Sequence, residues 1–398
     1  YLCWIGWLEW IPCAGSEPKL SVIAVVSALV FFVSGLGGGL LIAQKFQQSQ
    51  GNSFSLLSPL ISDQLESPNY EQYSLTNLIE YPYQTNKLIV SEVVDQTENY
   101  SEYVFTFTTM DKSMSGLMTL PNNFNKNKKP KVVIMLRGWA PAETYFSGLG
   151  TSPAARVLAN NGYITLAPDF FGYGQSDPEP SDTWEARFIK PISVIELIYS
   201  IEKFGIPLPD TKNVDDEQIV TFDTLPPSQL YFWAHSNGGQ IALSVLEILS
   251  RPIPITLWAP VTAPFPYSIL FYGDELEDEG KEQRGWLAMF ERNHDASQYS
   301  VTQHLDRLTG PVQLHHGTAD EAALKTWSDE FNDKIIAENE RRTEISTDEE
   351  EVEEVQVIEL KYFVYPGADH NLRPVENWNL AIERDLKFFA ANPPSELP

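Results

Sequence analysis

Cysteine is almost absent. The two present, Cys3 and Cys13, both lie near the N-terminus, so from Ala14 onward neither a disulfide framework nor a cysteine-based zinc site can be built. That scarcity is compatible with an exported domain. Positive charge is also short: 27 Lys and Arg stand against 54 Asp and Glu, a formal net charge of −27. Nucleic acid is therefore not an expected partner, because binding it requires Lys and Arg to neutralise phosphates. The acidity reads as a source of solubility. No internal repeat is visible. What is present is a globular composition, 43% hydrophobic and 20% charged over 398 residues, enough for one large domain or two small ones with a sizeable core. The chain opens on Tyr1, which reads as a fragment or a processed product.

Residues 20–43, "LSVIAVVSALVFFVSGLGGGLLIA", carry no charge and are bracketed by Lys19 and Lys45. At about 1.5 Å per residue the run is roughly 36 Å long, against about 30 Å of bilayer hydrocarbon. It is expected to be a single-pass transmembrane helix, with a cleaved signal peptide or a buried helix as rivals. Residues 1–18 hold Trp4, Trp7 and Trp10 and suit a membrane interface. Residues 44–80, rich in Gln and Ser up to Ser67, read as a tether. One Lys on each side gives no orientation signal; the domain beyond is expected outside the cytoplasm.

Residues 81–398 read as one domain. "KLIVSEVV", "YVFTFTT" and "SGLMTLP" between Lys87 and Pro121 have β character. From Lys131 the pattern becomes short apolar strands alternating with helices: "KVVIML", "YITLAP", "QLYFWA", "PITLWAP", "PVQLHHG" and "QVIELKYFVYP" are the strands. This predicts an α/β fold with a mostly parallel central sheet and helices on both faces. Two stretches interrupt the alternation. Residues 205–228 form a Pro- and Asp-rich loop, and residues 262–308 are large enough to be a cap over the strand ends. The acidic run 345–354 reads as a solvated loop.

The chemistry gathers around "YFWAHSNGGQIALS". A buried strand runs into Ala234-His235-Ser236-Asn237-Gly238-Gly239 and then into a helical pattern. A serine there is either a helix N-cap or a nucleophile on a strained turn. The cap reading leaves the small residues on both sides unexplained, whereas a nucleophile elbow requires them. Ser176, in "GYGQSDP", lacks the second glycine. A serine nucleophile needs a base. His370, in "YPGADHN", follows the last strand and precedes the last helix. His235 is too close in sequence, His294 and His304 lie in the insert, and His315 and His316 suit structural roles better than a zinc site. Asp320, in "HHGTADE", falls between serine and histidine in chain order and would orient the imidazole; Asp369 is a neighbour of His370 and a poorer acid. Backbone N–H groups of Asn237 and of Trp139, with Gly138 close behind, are the candidate oxyanion hole.

These motifs, "LRGWAPAETYFSGLGTSPAARVLANNGYITLAPDFFGYGQSD", "WAHSNGGQIAL", "HHGTADE" and "GADHN", resemble the catalytic domain of the prolyl oligopeptidase family of α/β-hydrolases, from about Tyr81 to the C-terminus. The resemblance implies an α/β-hydrolase fold and serine hydrolysis by Ser236, Asp320 and His370 without cofactor or metal. Two departures stand out. Arg137-Gly138 occupies the place of the His-Gly common in relatives, and the chain has no room for a β-propeller. The expected substrate is therefore a small carboxylic ester or peptide, with the ester favoured. Phe265, Tyr267, Phe271, Tyr272 and Trp286 of the insert are expected to offer an acyl pocket. A peptidase of the prolyl oligopeptidase type and a non-enzymatic binding protein on this fold are the alternatives.

Overall fold

The computed structural model describes residues 69–125, 128–209, 222–225, 227, 229–273, 278–347 and 356–394. The expected membrane span 20–43, the segment 1–18 and the tether up to residue 68 lie outside them. Among the described residues no helix is long and apolar enough to cross a membrane.

In chain order, helix α1 (Leu75–Ile79) precedes three antiparallel strands, β1 (Ile89–Gln96), β2 (Tyr100–Thr109) and β3 (Lys112–Pro121). Then follow β4 (Lys131–Leu136), α2 (Ser152–Asn160), β5 (Tyr163–Pro168), α3 (Thr183–Phe188) and α4 (Lys190–Phe204). A small hairpin, β6 (Ile206–Pro209) and β7 (Phe222–Leu225), leads to β8 (Gln229–His235), α5 (Asn237–Leu249) and β9 (Ile255–Trp258). The insert contributes α6 (Tyr267–Gly273) and α7 (Lys281–Asn293), and β10 (Val312–Gly317), α8 (Lys325–Thr347), β11 (Leu360–Tyr365) and α9 (Val375–Ala391) complete the chain. Nine strands form one sheet in the order β1-β2-β3-β5-β4-β8-β9-β10-β11, parallel from β5 to β11.

The strand sequences explain the two-sided core. In β4, Val132, Ile134 and Leu136 enter one apolar cluster while Val133 and Met135 enter another. In β8, Leu230, Phe232 and Ala234 alternate likewise with Tyr231 and Trp233. Period-two alternation sends successive side chains to opposite faces, so a strand covered on both faces must be apolar throughout. The first face is closed by α4, α5 and α8, the second by α2 and α9, through residues such as Ala155, Leu158, Ile382 and Phe389. Each such buried aliphatic or aromatic side chain contributes about 1.5–3 kcal/mol.

Three expectations change. The segment 44–80 was expected to be a tether throughout, but from Tyr70 on it is part of the core: Tyr70, Tyr73, Leu75 and Leu78 are buried in the first cluster. The Tyr70 hydroxyl donates to Asp182 (2.6 Å) and that of Tyr73 to Glu185 (2.7 Å), which anchors the segment to α3. Residues 205–228 were expected to be loop, but they include the antiparallel strands β6 and β7. The acidic run 345–354 was expected to be loop from its start, yet α8 continues to Thr347.

Candidate active site

Ser236 sits between the end of β8 and the start of α5 with φ 56° and ψ −124°, a conformation L-residues rarely adopt. The surroundings explain why the flanking residues are small. A Cβ on Gly238 would stand 2.1 Å from the Leu136 carbonyl oxygen, and one on Gly239 would stand 2.6 Å from Pro260 Cβ. The turn is fixed from outside: Ser236 N–H donates to the Trp258 carbonyl (2.9 Å), and the Ser236 carbonyl accepts from Val261 (3.0 Å) and Gly239 (2.9 Å). Ser236 Oγ does not cap α5, which removes the N-cap reading.

Asp320 and His370 come from the loops after β10 and β11. Those parallel strands are paired in register from Val312–Leu360 to Gly317–Tyr365, so their following loops emerge side by side. The loops are laced together by Ala319 N–H to the Ala368 carbonyl (2.9 Å) and by Gly367 N–H to Thr318 Oγ1 (2.7 Å). A Cβ on Gly317 would meet the Ala368 oxygen at 2.2 Å. His370 Nδ1–H donates to Asp320 Oδ2 across 2.8 Å. With that nitrogen protonated, Nε2 of neutral His370 keeps its lone pair. No hydrogen bond joins Ser236 Oγ to the His370 ring among the described residues.

Burial alone would raise the Asp320 carboxyl pKa. Hydrogen bonds from His316, His370 and the Ala323 N–H outweigh it and hold the group well below the ordinary carboxylate range. Its Oδ1 accepts from Ala322 and Ala323 N–H, each at 2.9 Å. Asp369 instead turns its own loop, accepting from the N–H groups of Asn371 and Arg373 at 2.9 Å each.

Two histidines that the sequence left without a role at the site touch it. His316 Nε2 faces two acceptors, the Ala323 carbonyl (2.9 Å) and Asp320 Oδ2 (3.2 Å), so this nitrogen carries the proton. His235 Nε2 donates to the His370 carbonyl at 2.9 Å, and the two rings lie 4.6 Å apart. Burial, and then the neighbouring His370, push the His235 pKa down to about 4. The doublet "HH" and the histidine beside Ser236 were the available signals, but neither indicates a contact so distant in sequence. The other half of the doublet, His315, belongs to a separate buried network with Asp385 (3.0 Å) and Tyr365 (2.7 Å).

Gly138 packs directly on the serine; a Cβ there would be 2.8 Å from Ser236 Cβ and 3.2 Å from its Oγ. Arg137, in place of the histidine of the resembling family, pegs this loop: it donates to the carbonyls of Gly138 and Asp169, both at 2.8 Å. Its guanidinium is also sandwiched at 4.1 Å from Tyr173 and 4.4 Å from Tyr145. The Trp139 side chain is 77% exposed. Asn237 opens α5, where helix geometry leaves its N–H without an intrahelical partner. Ser176 has a loop role, its Oγ accepting from Ser115 N–H at 3.0 Å.

Beside Asn237 lies a small cavity of about 60 Å³, reached by Gln240, Phe265, Arg187 and Lys190. Burial lowers the pKa of both cations; that of Lys190 falls to about 8, with Arg187 and Arg137 adding repulsion. Of the five aromatics expected to form an acyl pocket, only Phe265 lines this cavity. Trp286 stacks on Trp184 (3.5 Å, 8°), Phe271 and Tyr272 pack against Trp327, and Tyr267 is exposed.

No protein-family model matches the chain, and no curated protein matches it in sequence. Solved structures do share its fold. The acetyl xylan esterase from Paenibacillus sp. R4 superposes with a TM-score of 0.53 at 12% identity, over 81% of this chain and 96% of that one. Acetyl xylan esterase 1 from Thermoanaerobacterium sp. JW/SL YS485 gives 0.51 at 13%, over 80% and 93%. The acylaminoacyl peptidase of Pyrococcus horikoshii gives 0.50 at 11%, over 76% of this chain but 43% of the peptidase. The sheet order, the serine turn between β8 and α5 and these likenesses together make the chain an α/β-hydrolase-fold protein.

Proposed function

We propose that the chain is a serine hydrolase that cleaves a small carboxylic ester, with Ser236 as nucleophile, His370 as base and Asp320 as the acid that orients it. The observation that carries this reading is the pairing of Asp320 with His370 at 2.8 Å at the same sheet end as a serine held at φ 56°. His370 Nε2 takes the Ser236 hydroxyl proton while Oγ attacks the substrate carbonyl. The tetrahedral oxyanion is met by backbone N–H groups of Asn237 and of the Gly138–Trp139 loop. His370 then gives the proton to the departing alcohol, leaving an acyl-enzyme that water cleaves by the same route in reverse roles. Asp320, held ionised, stabilises the imidazolium in between.

Two observations favour the ester over a peptide. The cavity beside Asn237 suits a short acyl group. The two acetyl xylan esterases are matched along nearly their whole length, whereas less than half of the acylaminoacyl peptidase is. An alkoxide also leaves more readily than an amine, which must be protonated as it departs. Anchorage through residues 20–43 is part of the same proposal, supported by their lack of charge. The test is labelling with a fluorophosphonate, followed by assays on p-nitrophenyl butyrate and a proline-linked dipeptide anilide. Labelling that persists in Ser236→Ala, or no labelling at all, refutes the hydrolase assignment. A higher kcat/KM on the anilide would replace the esterase reading with the peptidase one.

A further inference from the structure

Arg187 and Lys190 line the cavity beside Asn237, three residues apart across the junction of α3 and α4. Each is half-buried and keeps part of its surface open. Neither the guanidinium nor the ammonium makes a hydrogen bond or an ion pair among the described residues. Lys190 has only the Phe170 ring, 5.9 Å away. This is unexpected in a chain with 54 Asp and Glu against 27 Lys and Arg, because cations withdrawn from water are normally paired. Lys190 is also the first residue of α4, and a helix N-terminus is already positive, so a cation is unfavourable there.

The nearby carboxyls do not neutralise the pair. Glu179 attracts Lys190 without pairing with it. Glu247 is the one Asp or Glu lining the cavity, but it lies ten residues along α5 from Asn237, roughly 15 Å. Burial, and then Asp306, push its pKa well above the usual carboxylate range, which favours its neutral form. Both cations lie toward the candidate catalytic groups. Lys190 is repelled by Arg137, which pegs the Gly138 loop that packs on Ser236. Arg187 is influenced by Tyr272, whose hydroxyl donates to the Ala322 carbonyl at 2.8 Å, two residues from Asp320.

We propose that Arg187 and Lys190 bind a free carboxylate on the acyl group of the substrate, which makes that substrate a monoester of a short dicarboxylic acid. The inference rests on the serine-hydrolase reading and names its substrate class. The planar Arg fork and the Lys ammonium together satisfy a carboxylate. The methylenes between it and the scissile carbonyl would pass Phe265 and Ile241. A cavity of about 60 Å³ admits only a short spacer.

The test compares monomethyl succinate with methyl succinamate, in which a neutral carboxamide of the same shape replaces the carboxylate. Methanol release by the full chain should give a kcat/KM about 10- to 100-fold higher on the acid, the scale of a hydrogen bond to a charged group. Arg187→Gln and Lys190→Gln should each cut that ratio, mainly through KM, and Lys190→Arg should keep it. Calorimetric titration of Ser236→Ala with the same two compounds needs no turnover and should show the acid binding tighter by a similar factor. Fluorophosphonate labelling separates the two readings: if Ser236 does not label, the hydrolase assignment fails and the titration alone decides whether the carboxylate site exists. Equal kcat/KM for the two esters in a protein that labels, a ratio untouched by both Gln variants, or no preference for the acid in the titration would overturn the proposal.

Discussion

His235 Nε2 donates to the backbone carbonyl of His370 across 2.9 Å, although the two residues stand 135 positions apart in the chain. The residue preceding the strained serine thus supports the loop that carries the candidate base. It works from the backbone side, while Asp320 holds the ring. His235→Phe keeps a flat ring and removes the donor. Turnover on p-nitrophenyl butyrate should fall about 10-fold, the scale of one buried hydrogen bond, with KM nearly unchanged. His235→Gln, which retains an N–H donor, should recover part of the loss. If both substitutions leave kcat intact, His235 is packing alone.

The same residue should shape the acid side of the stability curve. Burial, and then the neighbouring His370, hold His235 near pKa 4 in the folded chain, with Asp320 and His316 as the other titratable groups that face it, against about 6.5 when unfolded. Between these values the unfolded state binds the proton first, so stability falls as pH drops from about 6.5 to about 4. Asp320 contributes at lower pH. Its carboxyl is held below the unfolded value of about 3.9, so its stabilisation is intact above that pH and is lost beneath it. Urea midpoints measured from pH 7 to 4 should decline in the parent protein and decline less in His235→Phe. Parallel curves would remove His235 from the account.

Gly138 and Gly238 make opposite predictions. A methyl on Gly138 would press on the Ser236 side chain, 2.8 Å from its Cβ. Gly138→Ala should therefore cost activity by at least an order of magnitude with little change in urea midpoint. A methyl on Gly238 would meet backbone, the Leu136 carbonyl, at 2.1 Å. That contact cannot be relieved by a rotamer change, so Gly238→Ala should lower the midpoint itself. A Gly138→Ala protein of full activity would show that the loop has room to move.

The sheet could be read in advance because its signals are local. Strands such as Val132–Leu136 and Tyr231–Ala234 are apolar at every position, and only a strand covered on both faces needs that. The serine turn was legible because the small residues it demands, Gly238 and Gly239, follow Ser236 within three positions, although what crowds them, Leu136 and Pro260, lies elsewhere in the chain. His235 and His316 were not legible, because their partners are set by how distant loops meet. The insert aromatics misled because pattern gives apolarity but not direction; Trp286 is apolar in order to stack on Trp184, away from the cavity beside Asn237. Tyr70 to Leu78 misled differently. Four apolar side chains spaced through a polar stretch give no clear period, and their burial becomes visible only beside Phe188 and α5.

That segment supplies the last prediction. Tyr70, Tyr73, Leu75 and Leu78 are each less than a tenth exposed, and the Tyr70 ring meets Phe188 edge-on at 5.5 Å. At about 1.5–3 kcal/mol for each buried side chain, their removal is comparable with the whole stability of a typical domain, about 5–15 kcal/mol. It would also strip Asp182 and Glu185 of their tyrosine partners. A protein starting at residue 69 should therefore be soluble without detergent, fold cooperatively and hydrolyse p-nitrophenyl butyrate. One starting at residue 81 should be recovered aggregated or melt at a much lower temperature. The comparison separates two roles for the N-terminal region. If both proteins behave alike, Tyr70 to Leu78 are dispensable to the core. If the longer one also needs detergent, the apolar run at 20–43 is not what keeps the full chain from water.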